Sequence, residues 1–103
     1  MYQVVLCTCP SLENAKKIAT HLVKEKYAAC VNIIPNVTSI YQWQEKIQCD
    51  EEVQLLIKTE SVKFNIVCSE IKSLHQYDTP EVIALNIQQG DKEYLNWIKE
   101  SLK

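Results

Sequence analysis

The sequence contains no arginine and only one glycine, Gly90. Without arginine, the bidentate clamps with which many proteins hold phosphate or carboxylate groups are absent. A single glycine excludes the glycine-rich loops that cradle phosphates in nucleotide-binding proteins. No apolar run approaches the ~20 residues that a membrane-spanning helix needs, and no signal peptide is visible. We therefore expect no membrane association and a cytoplasmic location.

An excess of positive charge is also missing. The 11 basic residues are outnumbered by 13 acidic ones, which gives a net charge of −2. Proteins that bind nucleic acids usually carry a basic surplus, so we expect no nucleic-acid partner. Hydrophobic residues make up 47% of the chain and charged residues 23%. This composition is typical of a globular protein, and the length predicts a single domain over residues 1–103.

The number of cysteines is unusual for a chain of this length, and cysteine thiols can bind metal ions or form disulfides. The chain has five cysteines, an odd number, and none of them is spaced as in a zinc knuckle. Free thiols packed as small apolar groups are the favoured interpretation. Cys7 and Cys9 lie two residues apart on a predicted strand and therefore share a face. Chelation of a soft metal ion by this pair remains an alternative.

Hydrophobic periodicity predicts a β-α-β-β-α-β order followed by a further helix. Strands are expected over residues 2–9, 28–34, 52–59 and 82–87, and helices over 12–25, 61–75 and 91–102. A ribbon over 37–47 is expected to pair with the third strand across a polar turn at 48–51. The fold class is α+β, a ferredoxin-like split βαβ arrangement with an extended β-hairpin and a C-terminal helix.

Several strands are apolar on both faces, although two helices can cover only one face of a sheet. The ribbon adds Tyr41 and Trp43, for which a lone domain has little cover. We therefore expect the sheets of several protomers to pack together, as in a cyclic trimer. The alternative is that the terminal helix covers the open face. Trp97 on that helix is expected to serve the protomer's own core.

Five segments together resemble the family of divalent-cation tolerance proteins called CutA. They are VVLCTCP, AACVNIIPNVTSIYQW, VQLLIKTE, HQYDTPEVIALNI and GDKEYLNWI, and they cover nearly the whole chain. The resemblance implies a ferredoxin-like protomer, a tight homotrimer, an architecture like that of PII signalling proteins, and no established enzymatic activity. It also implies a role in tolerance of copper and other divalent cations, with copper bound by some members.

Two motifs depart from the family pattern. The hairpin, usually W-E-G-K, has Gln44 and Glu45 between Trp43 and Lys46, and we expect a shifted or wider turn because the glycine is missing. The usual H-P-Y motif has Gln76 in place of proline, which frees this loop.

The resemblance implies Cys7 and Cys30 as copper ligands. The family's third cysteine position falls on Glu70, and Cys68, two residues earlier on the helix, is expected to face elsewhere. His75 is the best exposed candidate for Cu(II), whereas Cu(I) would require a reachable thiol. Any copper or other divalent cation is expected to be held loosely. His21 is expected to be an ordinary surface residue.

A cleft between subunits is the second candidate site. The resemblance implies that the aromatic ribbon of one subunit lies near the H-x-Y loop of another, residues 75–77. The cleft between them would bind a small anion or a metal complex. Its expected residues are Tyr41, Trp43, Glu45, Lys58, Tyr77, Asp78 and Glu81. The alternative is that they only form interface hydrogen bonds. Spacing reveals no nucleophile–base pair, so we expect no enzyme. The resemblance implies a metal-binding protein that responds to metal ions, or else a PII-like signalling or scaffold module that binds a small ligand or partner protein.

Overall fold

A computed structural model describes all residues from 1 to 103. The secondary-structure elements, in chain order, are β1 (Tyr2–Cys9), α1 (Leu12–Lys24), β2 (Cys30–Trp43), β3 (Lys46–Glu60), a 3₁₀ turn (Ser61–Lys63), α2 (Phe64–Leu74), β4 (Ile83–Asn86) and α3 (Lys92–Ser101). The strands form one antiparallel sheet in the order β2-β3-β1-β4. This is the ferredoxin-like topology that the sequence predicts. None of the helices is both long and apolar enough to cross a membrane.

Helices α1 and α2 cover one face of the sheet. Ser11 begins α1, since its hydroxyl accepts a hydrogen bond from the Asn14 amide at 3.1 Å. The apolar stripe of α1 then packs on alternate residues of β1 and β3, and Val67 and Ile71 of α2 complete this core. Val23, near the end of α1, remains largely exposed.

The β2–β3 hairpin turns earlier than the sequence indicates. Gln44 and Glu45 form a two-residue turn, and both have positive φ, 50° and 66°. Residues 48–51, the expected turn, instead continue β3 and pair with residues 38–41 of β2. The expectation of a wider turn was therefore wrong. The tight turn follows the right-handed twist of the strands, so it forms although neither residue is glycine.

Strand β2 also runs without a break where two strands were expected. Pro35 was expected to end the first of them, but a bulge between Ile34 and Val37 carries the chain onward, with Asn36 at a φ of 62°. A proline is tolerated there because β2 is the edge strand and the bulge needs no ladder bond from its nitrogen.

The second face of the sheet, which we call the open face, is only partly covered. Helix α3 packs over one end, where Ile98 and Leu102 are buried against Ala29 and Tyr2. Trp97 does not enter this core, contrary to expectation: it is exposed and stacks on Tyr94 with ring centroids 5.6 Å apart. Beyond α3, apolar side chains of all four strands meet solvent. They are Val4, Leu6, Ile34, Leu56, Ile83 and Leu85.

Candidate metal centre and adjoining cavity

Two cysteines and a histidine meet where β1 ends beside the end of α2. Cys7 and Cys9 point into the core from the helix-covered face of the sheet and have no exposed surface. His75 follows the last residue of α2 and is half-buried. The ligand atoms of these three residues all lie within 4.8 Å of one another. We call this group the thiol–imidazole cluster, and it is the only such group of three or more potential ligands in the protein.

The ring of His75 is held by two backbone hydrogen bonds. Its Nδ1 accepts the amide hydrogen of Tyr77 at 2.9 Å, so the proton of the neutral ring is assigned to Nε2, which donates to the carbonyl oxygen of Thr8 at 2.7 Å. A metal-bound histidine commonly donates its other ring N–H to a backbone carbonyl. Both ring nitrogens are thus engaged, and ligation of a metal through Nδ1 would require that the bond from Tyr77 be given up.

The two thiols share a hydrogen bond that divides their acidities. The Cys7 S–H donates to Cys9, which lowers the pKa of the Cys9 thiol below its ordinary value. The same hydrogen bond, together with burial, raises the pKa of Cys7. The pair therefore loses its first proton from Cys9 and keeps the second strongly. Two thiol sulfurs and an imidazole nitrogen form a soft donor set that suits Cu(I) or Zn²⁺ and is poor for Mg²⁺ or Ca²⁺.

Only two of the three expected metal ligands come together. Cys7 and His75 are neighbours, and Cys9 completes the cluster. Cys30 lies on the opposite side of the sheet, because it pairs with Lys58, which pairs with Val4, the open-face position of β1. Cys30 and Cys7 therefore do not meet within one protomer, and the expected role of Cys30 as a copper ligand stays a prediction.

The other expected ligand positions have separate surroundings. Cys68 is half-buried on α2 and is outside the cluster, as expected from its helical position. Glu70 instead accepts a hydrogen bond at 2.8 Å from His21, which joins α2 to α1. His21 is thus half-buried and paired, and not the ordinary surface residue that its spacing indicated.

A cavity of about 810 Å³ adjoins the cluster on the open-face side. The hairpin supplies one wall and the loop after α2 supplies the other. Three carboxylates and three aromatic rings contribute to its surface, and no lysine or histidine does. Its lining residues are Thr8, Ser39, Tyr41, Trp43, Gln48, Glu52, Gln76, Tyr77, Asp78, Thr79 and Glu81. We call it the acidic cavity.

Hydroxyl groups organise the carboxylates of the acidic cavity. The Tyr77 hydroxyl donates to Glu52 at 2.6 Å, and the Thr8 hydroxyl donates to Glu81 at 2.8 Å. The Tyr41 hydroxyl donates to Asp50 at the edge of the cavity. Burial and the bond to Glu52 raise the pKa of Tyr77, and the bond to Asp50 raises that of Tyr41. Both phenols therefore stay neutral well beyond neutral pH.

Five of the seven expected cleft residues line this cavity, and two do not. Glu45 lies in the hairpin turn, and Lys58 lies toward the other end of β3 with its Nζ 5.5 Å from the ring centroid of Tyr94. Without Lys58 the cavity of one protomer has no positive group, which disfavours the expected anion. Glu52 and Thr8 were missed by the sequence reasoning, because nothing in their strands marks them apart from other polar residues.

The cluster and the cavity share the same loop. Thr8 accepts from His75 through its backbone and bonds Glu81 through its side chain. Tyr77 donates its amide to His75, stacks beside it with centroids 4.8 Å apart, and turns its hydroxyl to Glu52. A Cys–His pair that spacing did not reveal is present here, yet both ring nitrogens are engaged by backbone groups. No ring nitrogen of His75 is therefore left free as a base beside the thiols.

Fold and site together define a ferredoxin-like protein with an unpartnered sheet face and a buried soft-donor cluster. The chain belongs to the family described as CutA1 divalent ion tolerance protein, whose model matches residues 3–101. The divalent-cation tolerance protein CutA of Thermus thermophilus is 48% identical over 101 residues, which cover 98% of each chain. The chloroplastic protein CutA of Arabidopsis thaliana is 45% identical over 97% of this chain, which spans 55% of that relative.

Solved structures agree with this assignment. The structure of the divalent cation tolerance protein Cut A1 from Thermus thermophilus superposes with a TM-score of 0.95, over 98% of each chain. The structure of the periplasmic divalent cation tolerance protein CutA from Archaeoglobus fulgidus superposes with a TM-score of 0.97 at 43% identity, over the whole of both chains. The resemblance that the sequence motifs indicated is therefore confirmed.

Proposed function

We propose that this CutA-family protein binds copper as Cu(I) through Cys7, Cys9 and His75, and that it takes part in the response to metal ions. The convergence of two buried thiols and one imidazole, with ligand atoms within 4.8 Å, carries the proposal. Thiolate sulfur and imidazole nitrogen are preferred donors for Cu(I). The printed descriptions of the relatives, divalent-cation tolerance proteins, support a metal-linked role without naming the metal.

Proton release governs this binding. Thiols must lose their protons to ligate a metal. The interaction with Cys7 lowers the pKa of Cys9, whereas the interaction with Cys9 and burial raise the pKa of Cys7, which must also lose its proton to ligate. We therefore expect Cu(I) affinity to increase with pH, and we expect the metal to be exchangeable.

The test is Cu(I) titration of reduced protein against a competing chelator. Cys7→Ser and Cys9→Ser should each lower the affinity at least ~10-fold, as should His75→Ala. Cys30→Ser and Cys49→Ser are matched controls, because one thiol lies on the opposite sheet face and the other is exposed on the hairpin. Equal affinities in all five variants would contradict the proposal.

We also propose that the protein is a homotrimer. On the open face, Ile34, Ile83 and Leu85 are 43%, 51% and 55% exposed. A second apolar surface lies on the ribbon, where Ile40 and Ile47 share a face and are 70% and 72% exposed. Two different apolar surfaces on one protomer suit a head-to-tail contact, which closes into a ring. Light scattering should report about three times 11.9 kDa, and a monomer stable to dilution would contradict this proposal.

A cytoplasmic location and a non-catalytic role complete the proposal. All five cysteines are free, which suits a reducing compartment. The relative from Archaeoglobus fulgidus is described as periplasmic, so fractionation of cells that express this chain is the direct measurement. Recovery in the periplasmic fraction would contradict the proposed location.

A further inference from the structure

Asn14 occupies a position of helix α1 that suits an apolar residue. Its side chain is only 4% exposed, and it lies four residues before Ile18 on the buried stripe of the helix. Asparagine is a weak helix former, and burial removes its side-chain amide from water. Such a residue lowers the stability of the fold unless its hydrogen bonds are made. Its side-chain contacts therefore indicate what it contributes.

The side-chain amide of Asn14 is only half satisfied. Its Nδ2 donates to the carbonyl oxygen of Leu74 at 3.2 Å, and the need of that carbonyl for a donor assigns the nitrogen and the oxygen of the amide. Its Oδ1 is buried and has no hydrogen-bond partner. An unpaired buried acceptor lowers stability, and a leucine of similar size would avoid this loss. The bond to Leu74 is therefore what an apolar residue could not supply.

This bond reaches the peptide group from which His75 projects. Leu74 is the last residue of α2, and the final carbonyls of a helix lack donors within the helix. The same peptide group carries the N–H of His75, which donates to the carbonyl oxygen of Ile71 at 2.8 Å. Both polar atoms of the peptide group are thus engaged, one by α1 and the other by α2. The direction of the His75 side chain depends on the orientation of this group.

Metal binding would increase the importance of this backbone anchor. The imidazole of His75 is otherwise held through its ring nitrogens, by the carbonyl of Thr8 and the amide of Tyr77. Ligation through Nδ1 would replace the bond from Tyr77. The anchor at Leu74 involves neither ring nitrogen, so ligation would leave it intact. A ligand that is fixed before the metal arrives loses less freedom on binding.

We propose that Asn14 is a positioning residue that directs the imidazole of His75 toward the thiols of Cys7 and Cys9. For its effect on copper, this inference rests on the proposed metal function and deepens it. Its effect on the imidazole itself requires no metal, so the two proposals can fail separately.

The test replaces Asn14 and observes the ring of His75 directly. Nuclear magnetic resonance of ¹⁵N reports the two ring nitrogens before copper is added, at about pH 8.5, where free imidazole is neutral. The chain has two histidines, so a His21→Leu protein identifies the signals of His75. In the parent protein we expect the separated shifts of a ring protonated at Nε2. In Asn14→Leu the two shifts should converge, because both tautomers become populated.

Copper affinity and stability are the second and third measurements. Asn14→Leu should lower the Cu(I) affinity about 10-fold. Its midpoint of thermal unfolding should equal or exceed that of the parent, because the unpaired buried acceptor is removed. A residue that only supports the fold would lower affinity and stability together. Asn14→Ala removes the same bond without adding bulk, and it should change the ring shifts and the Cu(I) affinity in the same direction.

His21→Leu is also the matched control. His21 makes the other polar contact between α1 and α2, with Glu70 at 2.8 Å. Its replacement should leave the ring shifts of His75 and the Cu(I) affinity unchanged. Ring shifts like those of the parent in both Asn14 variants would overturn the proposal, and so would equal shift changes in His21→Leu. If the parent binds no Cu(I), the proposed metal function fails, whereas converged shifts in the Asn14 variants would still support the positioning of His75.

Discussion

At the scale of single residues, the tautomer of His75 determines which ring nitrogen of the thiol–imidazole cluster could bind a metal. In the structure the Nδ1 of His75 accepts the amide hydrogen of Tyr77, while its Nε2–H donates to the carbonyl oxygen of Thr8. Ligation through Nδ1 would keep the second bond as an orienting contact and displace the first. Under the proposed ligation, His75 would link metal binding to the conformation of the loop after α2.

Tyr77 should make the stability of the fold sensitive to alkaline pH. Its folded pKa is raised above the ordinary value of 10.0, so its contribution is full below pH 10.0 and is lost as pH rises through and beyond it. Between about pH 9 and about pH 11, the free energy of unfolding of Tyr77→Phe should therefore fall less steeply than that of the parent protein. Chemical denaturation at each pH measures this difference.

Tyr94→Phe is the control for that experiment, because the Tyr94 hydroxyl donates to no carboxylate in this structure and its ring instead lies under Lys58. It should show the parent's alkaline slope. Identical slopes for Tyr77→Phe and the parent would mean that the Tyr77–Glu52 bond does not persist in solution.

The residues also show where sequence reasoning about the site succeeded and where it could not. Cys7 and His75 were named as ligand candidates, and the shared face of Cys7 and Cys9 follows from strand periodicity alone. That Cys30 lies on the opposite face from Cys7 could not be predicted, because its face depends on how β2 is paired to β3 and β3 to β1. A one-residue change of register reverses every face, and single-sequence patterns do not fix that register.

At the scale of elements, the hairpin turn stores conformational strain. Gln44 and Glu45 both occupy the left-handed region, with φ of 50° and 66°, at a cost of about 1 kcal/mol or more for each residue. Glu45→Gly should increase the free energy of unfolding by about 0.5 to 1 kcal/mol, after allowing for the extra freedom of glycine in the unfolded chain. Thermal and denaturant unfolding measure the change.

Two further variants isolate the backbone effect from the loss of a charge. Glu45→Asn removes the charge but keeps a residue that tolerates positive φ, so it should be close to neutral or mildly stabilising. Glu51→Gly, within β3, should be destabilising. A Glu45→Gly protein no more stable than the parent would show that the turn relaxes away from these angles.

The same turn explains the main error in the predicted elements. Composition placed the turn at residues 48–51, where Asp and Glu are concentrated, since such residues favour turns. Gln44 and Glu45 carry no turn signal of their own. The helix caps were predictable in part: Ser11 accepts from the Asn14 amide and Asp91 accepts from the Tyr94 amide, whereas α2 begins after a 3₁₀ turn at Ser61–Lys63 without a side-chain cap.

The loop after α2 should respond to metal. If Nδ1 of His75 ligates Cu(I), the Tyr77 amide loses its acceptor and should exchange its hydrogen faster in the loaded protein. Hydrogen exchange with and without Cu(I) measures this. The amide of Ala15, which donates within α1 to Ser11, should keep its rate and serves as the internal reference. Unchanged exchange at Tyr77 would exclude ligation through Nδ1.

At the scale of the whole molecule, the proposed trimer would cover the apolar surface that one protomer leaves in solvent. The fold class was predictable because the order of strands and helices allows few topologies. The extent of the open face was not, since it depends on how little of the sheet α3 covers. Leu85→Glu, which puts a charge on that face, should shift the protein from trimer toward monomer, as measured by light scattering across a dilution series.

Val62→Glu is the matched control, because Val62 is 82% exposed on the 3₁₀ turn and outside both proposed contact surfaces. It should leave the assembly state unchanged. A Leu85→Glu protein that remains a trimer at every concentration would show that the subunit interface does not include the open face.

X-ray absorption at the copper edge of Cu(I)-loaded protein tests the central claim most directly. We predict a first shell of two sulfur atoms and one nitrogen atom, because Cys7, Cys9 and His75 are the only three ligating residues that the fold brings together. The Cys9→Ser protein should lose one of the two sulfur contributions, and the Cys30→Ser protein should keep both. A shell of nitrogen and oxygen alone, or one unchanged by Cys9→Ser, would contradict the account.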